Sequence, residues 1–334
     1  MRIKLASIPL FFSICLVFSA HTPYCQLKEE KEEKSRAINI VPKLPPDYKF
    51  SSRLNLFVGY DTNVNLSPVR TKDVYEEILY SFNLSKKFDK TLNFTFDYDL
   101  DYLNYNKVTD ASSLLNHFRL GMHKEISTFT TGAGYDLGVF YYPHNDDEDF
   151  LFHKAFAYIK HKISKNFYHK LQLEAGLKNY TDRKALADTI NTYQDDNRTD
   201  TRASIEYKIG SNIIKKLIFA LKLKATVNDS NVSYVDFYDY ESYEGALNFD
   251  YQLAKRLYLI SNLSYVRKIF DERVVTSRSY KERDSLYTGT LGFSYQMNKQ
   301  NDLSVYYTYR QNSSNDNIAE YSESVINCGW QYYF

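Results

Sequence analysis

A strict alternation of apolar and polar residues over about ten positions constrains this chain more than any other feature. The segment LNFTFDYDLDY places Leu, Phe and Tyr at every second position, between Asn93, Thr95, Asp97, Asp99 and Asp101. This pattern predicts a strand with one apolar face and one polar face. Similar alternation recurs in FALKLKA, in LSVYYTY and in the last ten residues, VINCGWQYYF.

From Ser51 onward the chain repeats a unit of roughly 40 residues that reads as a hairpin. Short polar turns such as SKKFDKT and MNKQND alternate with longer polar loops such as PHNDDED and DRKALADTINTYQDDNRTD. The six short turns and seven longer loops join fourteen strands. In the sixth strand, FLFHKAFAYIKHKIS, Phe156 and Tyr158 alternate with Ala155, Ala157 and Ile159, so its facing stays open.

These strands predict an all-β fold, a closed antiparallel transmembrane β-barrel of about 14 strands. About ten residues per strand suffice to cross a bilayer at a tilt. Because lipid offers the backbone no hydrogen-bond partners, we expect the strand RLNLFVGYD to pair with the last strand and close the barrel. The short turns are then periplasmic and the longer loops extracellular.

The N-terminal sequence predicts export. Arg2 and Lys4 precede an apolar run, so residues 1–25 are interpreted as a cleaved signal peptide, residues 26–50 as a periplasmic tether or plug, and residues 51–334 as the barrel. A net charge of +1 argues against a nucleic-acid partner. We expect Cys328 to be an inert thiol in the lipid-facing wall.

The hairpin series and the terminal Phe334 resemble single-chain bacterial outer-membrane proteins of the porin and transporter type. The resemblance implies a location in the bacterial outer membrane, contact with its lipid, and insertion by the barrel-assembly machinery. It also assigns the insertion signal to Trp330, Tyr332 and Phe334. A fainter resemblance links GYDTNVNLSP, residues 59–68, to the barrels of surface lipoprotein assembly modifiers.

Sequence motifs do not favour an enzyme, a cofactor or a metal site. No serine lies in a nucleophile elbow, and His117 and His123 are about 20 Å apart along one strand. The acidic run HNDDED lacks the glycine and spacing of a calcium loop, so a solvated loop is the preferred interpretation.

The polar strand faces supply the candidate pore lining. It comprises Asp97, Asp99 and Asp101 on the third strand, and Lys170, Lys178, Arg202, Lys208, Lys222 and Lys224 on the seventh to ninth. These charges either neutralise one another through neighbouring strands or create a transverse field across water.

The leading functional hypothesis is therefore a channel for passive or facilitated passage of small solutes. The alternatives are an export or assembly barrel for a polysaccharide or surface lipoprotein, and a structural or adhesive surface barrel.

Overall fold

The computed structural model describes residues 47–187, 192–214, 216–234, 237–275 and 280–334. The predicted signal peptide and residues 26–46 of the predicted tether lie outside these ranges. Within them the chain forms fourteen strands: β1 (Tyr48–Asp61), β2 (Asp73–Lys87), β3 (Leu92–Tyr105), β4 (Ser113–Ile126), β5 (Phe129–Tyr141), β6 (Phe150–Ser164), β7 (Phe167–Leu186), β8 (Tyr193–Ile214), β9 (Leu217–Ser230), β10 (Tyr240–Ala254), β11 (Leu257–Val274), β12 (Lys281–Gln296), β13 (Asn301–Ser314) and β14 (Tyr321–Tyr333).

The strands form one closed antiparallel barrel in which each strand pairs with its neighbours in sequence. β1 closes the barrel against β14, with Arg53 opposite Tyr333 and Asp61 opposite Val325. The backbone N–H of Phe334 donates to the carbonyl of Ser52 at 3.0 Å. The predicted class, strand number and closure are confirmed, and β1 and β14 pair from Arg53 to Asp61.

The alternation of each strand separates an outer surface from a lumen. Leu173, Leu223 and Leu263 lie on the outer face and are 56%, 50% and 51% exposed, as lipid-facing side chains of an isolated barrel should be. Cys328 is also exposed on this face, where it lies opposite Val58 and Val305. The predicted facing of Cys328 is confirmed.

The sixth strand turns its large aromatic side chains inward, because the neighbouring strand provides glycines to receive them. A Cβ atom on Gly134 would lie 2.4 Å from the Phe156 ring, and one on Gly132 would lie 2.5 Å from the Tyr158 ring. Each ring therefore occupies space that any other residue at the paired glycine would fill. Ala155, Ala157 and Ile159 take the lipid-facing side by default.

The predicted loop between the seventh and eighth strands is much shorter than expected. Most of DRKALADTINTYQDDNRTD is an extension of β7 and β8, in which Lys184 pairs with Asn197 and Leu186 with Tyr193. β11 and β12 extend similarly, with Val274 opposite Lys281. The reason is that backbone pairing continues beyond the apolar part of the wall. Both faces of the sheet meet water there, so the strand lacks the alternation of apolar and polar residues.

The connections define two ends of the barrel. The short-turn end carries the connections of β2 to β3, β4 to β5 and the equivalent later pairs, and the loop end carries the others. At the short-turn end the rings of Trp330, Tyr332 and Phe334 contact one another on the outer face. The ring centroids are 5.6 Å apart for Trp330 and Tyr332, and 4.7 Å apart for Tyr332 and Phe334. An aromatic belt of this kind is typical of a membrane interface. Among the described residues no helix is long and apolar enough to cross a membrane.

Candidate functional site: the charged lumen

The barrel encloses a central cavity of about 700 Å³, lined entirely by strand residues. It extends from Ser51 and Tyr168, close to the short turns, to Lys154 and Ser264 in the middle of the barrel. Eight cationic side chains line it, against five carboxylates. The cations are Arg53, Arg119, Lys154, Lys160, Lys170, Lys208, Lys222 and Lys224, and the carboxylates are Asp97, Asp99, Asp101, Glu174 and Glu206. The cavity lining carries more cationic side chains than carboxylates, beside apolar residues such as Leu79, Phe82 and Met122.

Seven of the nine residues named as pore-lining from sequence line this cavity: Asp97, Asp99, Asp101, Lys170, Lys208, Lys222 and Lys224. The other two also face inward, but they are packed nearer the loop end. Lys178 is only 3% exposed and lies 3.6 Å from the centroid of the Phe150 ring. Arg202 donates to the side-chain oxygen of Asn228 at 2.7 Å.

An ion-pair network runs around the cavity wall from β4 to β9. Arg119 binds both carboxylate oxygens of Asp136, at 2.7 and 3.1 Å, and Lys154 approaches the same carboxylate at 2.8 Å. Glu174 then links Lys154, at 3.9 Å, to Lys224, at 2.7 Å. Asp136 is fully buried, so its charge depends on both cations for stabilisation.

The two basic residues of β9 are paired with carboxylates of β7 and β10. Lys224 binds Glu174, and Lys222 binds Glu244 of β10 at 2.6 Å. On the acidic side, Asp97 accepts a hydrogen bond from Asn83. Local neutralisation, one of the two possibilities left open by the sequence, therefore describes Lys222 and Lys224. Any field across the cavity comes from the remaining charges.

No protein-family model and no curated protein matches the sequence. Solved structures do match the fold. OmpT, an outer-membrane protein of Vibrio cholerae, aligns over 87% of this chain and 99% of its own, with a TM-score of 0.51 and 12% identity. An anion-selective porin from Comamonas acidovorans aligns over 86% and 99%, with a TM-score of 0.50 and 9% identity. The fold is that of a bacterial outer-membrane β-barrel.

At the loop end of this outer-membrane barrel, the first loop folds into the lumen. Loop 1, residues 62–72, places Leu66 against Leu286 of β12 and Tyr321 of β14, and Leu66 is only 2% exposed. β12 is three strands away from β1, roughly 14 Å around the wall. The loop reaches it by crossing the interior, not by following the rim.

Side-chain hydrogen bonds hold loop 1 in this position. The buried amide of Asn63 donates to the carbonyls of Ser67, at 2.9 Å, and of Ser322 on β14, at 3.0 Å. Asp61 accepts from the backbone N–H of Asn63 at 2.8 Å and from the Tyr105 hydroxyl at 2.9 Å. These bonds anchor both the loop and the strand end from which it leaves.

Three further buried clusters lie near the loop end, one between β13 and β14, one on β8 and one between β10 and β11. Arg310 binds Glu323 at 2.7 Å, and Arg198 binds both oxygens of Asp200 at 2.8 Å. Lys268 lies 3.8 Å from the Tyr240 ring centroid and 4.2 Å from that of Phe270. Asp61, Asp200 and Asp284 are at most 2% exposed. By contrast, the inward-facing Ser51 and Lys162 near the short turns are exposed. Within the described residues, which begin at position 47, the cavity is therefore accessible from the short-turn end.

The acidic run of the third loop has a structural role. Glu148 is buried and binds Arg183 at 3.1 Å, and Asp149 accepts from the backbone N–H of Tyr142 at 2.6 Å. Burial raises the pKa of Glu148, while the charge of Arg183 opposes that shift. In the part of the chain that the structure describes, no group of three or more His, Cys, Asp or Glu is arranged to hold a metal ion.

Sequence reasoning missed the hub of the network and one histidine contact. Asp136 is the sole charged residue in β5, and that isolation in an otherwise uncharged strand was the available signal. His161 and His169 lie on adjacent strands with ring nitrogens 3.1 Å apart. Comparing histidines within single strands could not find this pair, because the contact depends on the register between β6 and β7.

Proposed function

We propose that the protein is a gated outer-membrane channel for small charged solutes. One observation carries the proposal: a closed barrel holds a charged cavity, and loop 1 packs inside the barrel at the loop end. Side chains that merely fill a lumen would leave no cavity of about 700 Å³. Proteins with this fold include an anion-selective porin, so the architecture is compatible with a channel.

With short turns on the periplasmic side, the cavity is reached from the periplasm and loop 1 is the extracellular closure. Passage requires Leu66 to leave Leu286 and Tyr321. The wall around it is hydrogen-bonded through all fourteen described strands, so a loop is the cheaper element to move.

The periplasmic opening also supports the alternative of export. A molecule that leaves the cell would enter the cavity directly and then displace loop 1 from below. The stretch GYDTNVNLSP, which carries the resemblance to the barrels of surface lipoprotein assembly modifiers, contains both Asn63 and Leu66. That stretch forms the closure itself.

Two membrane partners belong to the proposal. Outer-membrane lipid would contact the apolar outer face. The barrel-assembly machinery would recognise the terminal strand through Trp330, Tyr332 and Phe334, which lie together on the outer face at the short-turn end.

Conductance of the purified, refolded mature protein in a planar bilayer tests the channel. The double change Lys222→Glu and Lys224→Glu should shift the reversal potential toward cations, and the change of Asp97, Asp99 and Asp101 to Asn should shift it toward anions. Both shifts should shrink in 1 M salt, where the screening length is about 3 Å. If neither the wild type nor a variant with a shortened loop 1 conducts, the channel is refuted and a structural or adhesive role is favoured.

A further inference from the structure

Four lysines form a straight row across the cavity wall. Lys160 of β6 is directly opposite Lys170 of β7, which is opposite Lys208 of β8, which is opposite Lys222 of β9. All four line the central cavity. Adjacent strands are about 4.8 Å apart, so this lysine row spans roughly 14 Å of wall.

Directly opposed like charges destabilise a sheet, and three consecutive such pairs are unexpected without a counter-charge. Nearby side chains of the protein supply counter-charge and hydrogen bonds. Lys222 binds Glu244 at 2.6 Å, Lys170 donates to Gln172 at 2.7 Å, and Glu206 faces the cavity one row closer to the loop end. The cavity lining as a whole carries eight cationic side chains against five carboxylates.

Aromatic rings hold two of these lysines toward the cavity. The Lys160 ammonium lies 4.1 Å from the centroid of the Tyr168 ring, and that of Lys170 lies 5.0 Å from the Tyr158 ring. Both rings are themselves fixed against glycines, Tyr168 over Gly210 and Tyr158 over Gly132. A cation that lies on an aromatic face can still donate through its N–H groups.

We propose that the lysine row is a binding site for a solute that carries several phosphate groups. Ammonium groups act as point charges and suit the tetrahedral distribution of phosphate oxygens, whereas planar carboxylates are matched better by arginine forks. The length of the row favours an extended polyanion over a single phosphate. This site deepens the proposed channel function, because it names the class of solute that would be concentrated in the cavity.

Free solute, not lipid, is the expected source of the phosphate. The row faces the lumen, and the opposite face of the same strands carries the lipid-exposed Leu171, Ile205 and Leu223. A phospholipid headgroup would have to leave the bilayer and enter the barrel to reach the lysines.

Isothermal titration of tripolyphosphate into the purified mature protein, in an uncharged detergent at low salt, tests the site. Changing Lys170→Gln and Lys208→Gln together should weaken binding about a hundredfold, at roughly tenfold for each lost charge-assisted hydrogen bond. Changing both to Arg should largely preserve it. The matched control is Arg53→Gln with Lys224→Gln, which removes the same charge from the same cavity outside the row while Lys154 stays beside Asp136 and Glu174, and it should cost less than about tenfold.

A second measurement, of urea refolding, keeps the proposal testable if a variant folds poorly. Without ligand, the Lys170→Gln and Lys208→Gln protein should refold at a higher urea concentration than wild type, because the opposed charges are gone. Tripolyphosphate should raise the midpoint of wild type alone. Orthophosphate should bind more weakly, and anionic phospholipid added to the micelles should not compete.

The proposal is overturned if wild type does not bind tripolyphosphate, if both double variants lose affinity equally, or if phospholipid displaces the ligand. These outcomes are separable from failure of the channel, since titration in detergent requires no conduction. A protein that binds tripolyphosphate but stays silent in the bilayer would refute the channel and leave the site standing.

Discussion

Replacing Leu66 with Ala should open the lumen. Leu66 is 2% exposed and packs on Leu286 and Tyr321, and truncating a buried leucine costs about 2–5 kcal/mol. We take about 2–3 kcal/mol, because a loop can relax around the gap. If the open state makes none of these contacts, the ratio of open to closed channels rises roughly 30- to 150-fold.

The backbone conformation of Leu66 simplifies the interpretation of this free-energy estimate. Its φ is 45°, in the left-handed region that disfavours every residue with a Cβ atom. Alanine suffers the same strain as leucine, so the change removes packing and leaves the strain in place. The strain itself favours release of the loop, by about 1–2 kcal/mol.

Single-channel recording gives the open probability of the variant directly. Val69 provides the control, since it lies in the same loop and is 79% exposed, and Val69→Ala should behave as wild type. Urea refolding should show a loss of at most about 2–3 kcal/mol for Leu66→Ala, because the open state limits the loss, and little change for Val69→Ala. Equal open probabilities for Leu66→Ala, Val69→Ala and wild type would refute loop 1 as the gate.

Three further predictions concern the wall. Phe96→Arg should lower stability by about 2–4 kcal/mol in urea refolding, whereas Thr95→Arg, facing the cavity, should be tolerated; equal midpoints would contradict the facing. Gly292→Val should cost about 1–3 kcal/mol, because its Cβ would lie 2.1 Å from the Tyr306 ring, and adding Tyr306→Ala should restore part of the loss. Deleting Phe334 should abolish outer-membrane insertion without affecting secretion, measured by heat-modifiable migration of membrane fractions.

The alternation of the sequence predicted the strand number, the closure and most of the facing, because each strand meets lipid on one side and water on the other. It could not settle the facing of β6. There the decision belongs to Gly132 and Gly134 on the neighbouring strand, which make room for Tyr158 and Phe156. The residues that determine the facing of β6 therefore lie on β5.

Register explains most of what was missed in the site. Lys170, Lys208 and Lys222 were identified as facing the cavity, yet their alignment in a single row depends on strand offsets that the turns do not reveal. The inward path of loop 1 was missed for a different reason. A polar loop with a single leucine is typical of a solvated segment, and only the lumen-facing Leu286 and Tyr321 give that leucine a place to pack.

The aromatic contacts with glycine and the strained leucine divide the molecule into a fixed part and a movable part. Phe57 over Gly329, Tyr75 over Gly59 and Tyr306 over Gly292 lock neighbouring strands together through close ring contacts. Such contacts lose their dispersion energy if a strand shifts by even half an ångström to one ångström. Loop 1 has the opposite character: the packing of Val64 and Leu66, the two amide hydrogen bonds of Asn63 and a few backbone hydrogen bonds oppose an unfavourable conformation at Leu66. In the proposed channel, opening would therefore require loop 1 to give up these contacts, and the strain at Leu66 would offset part of the cost.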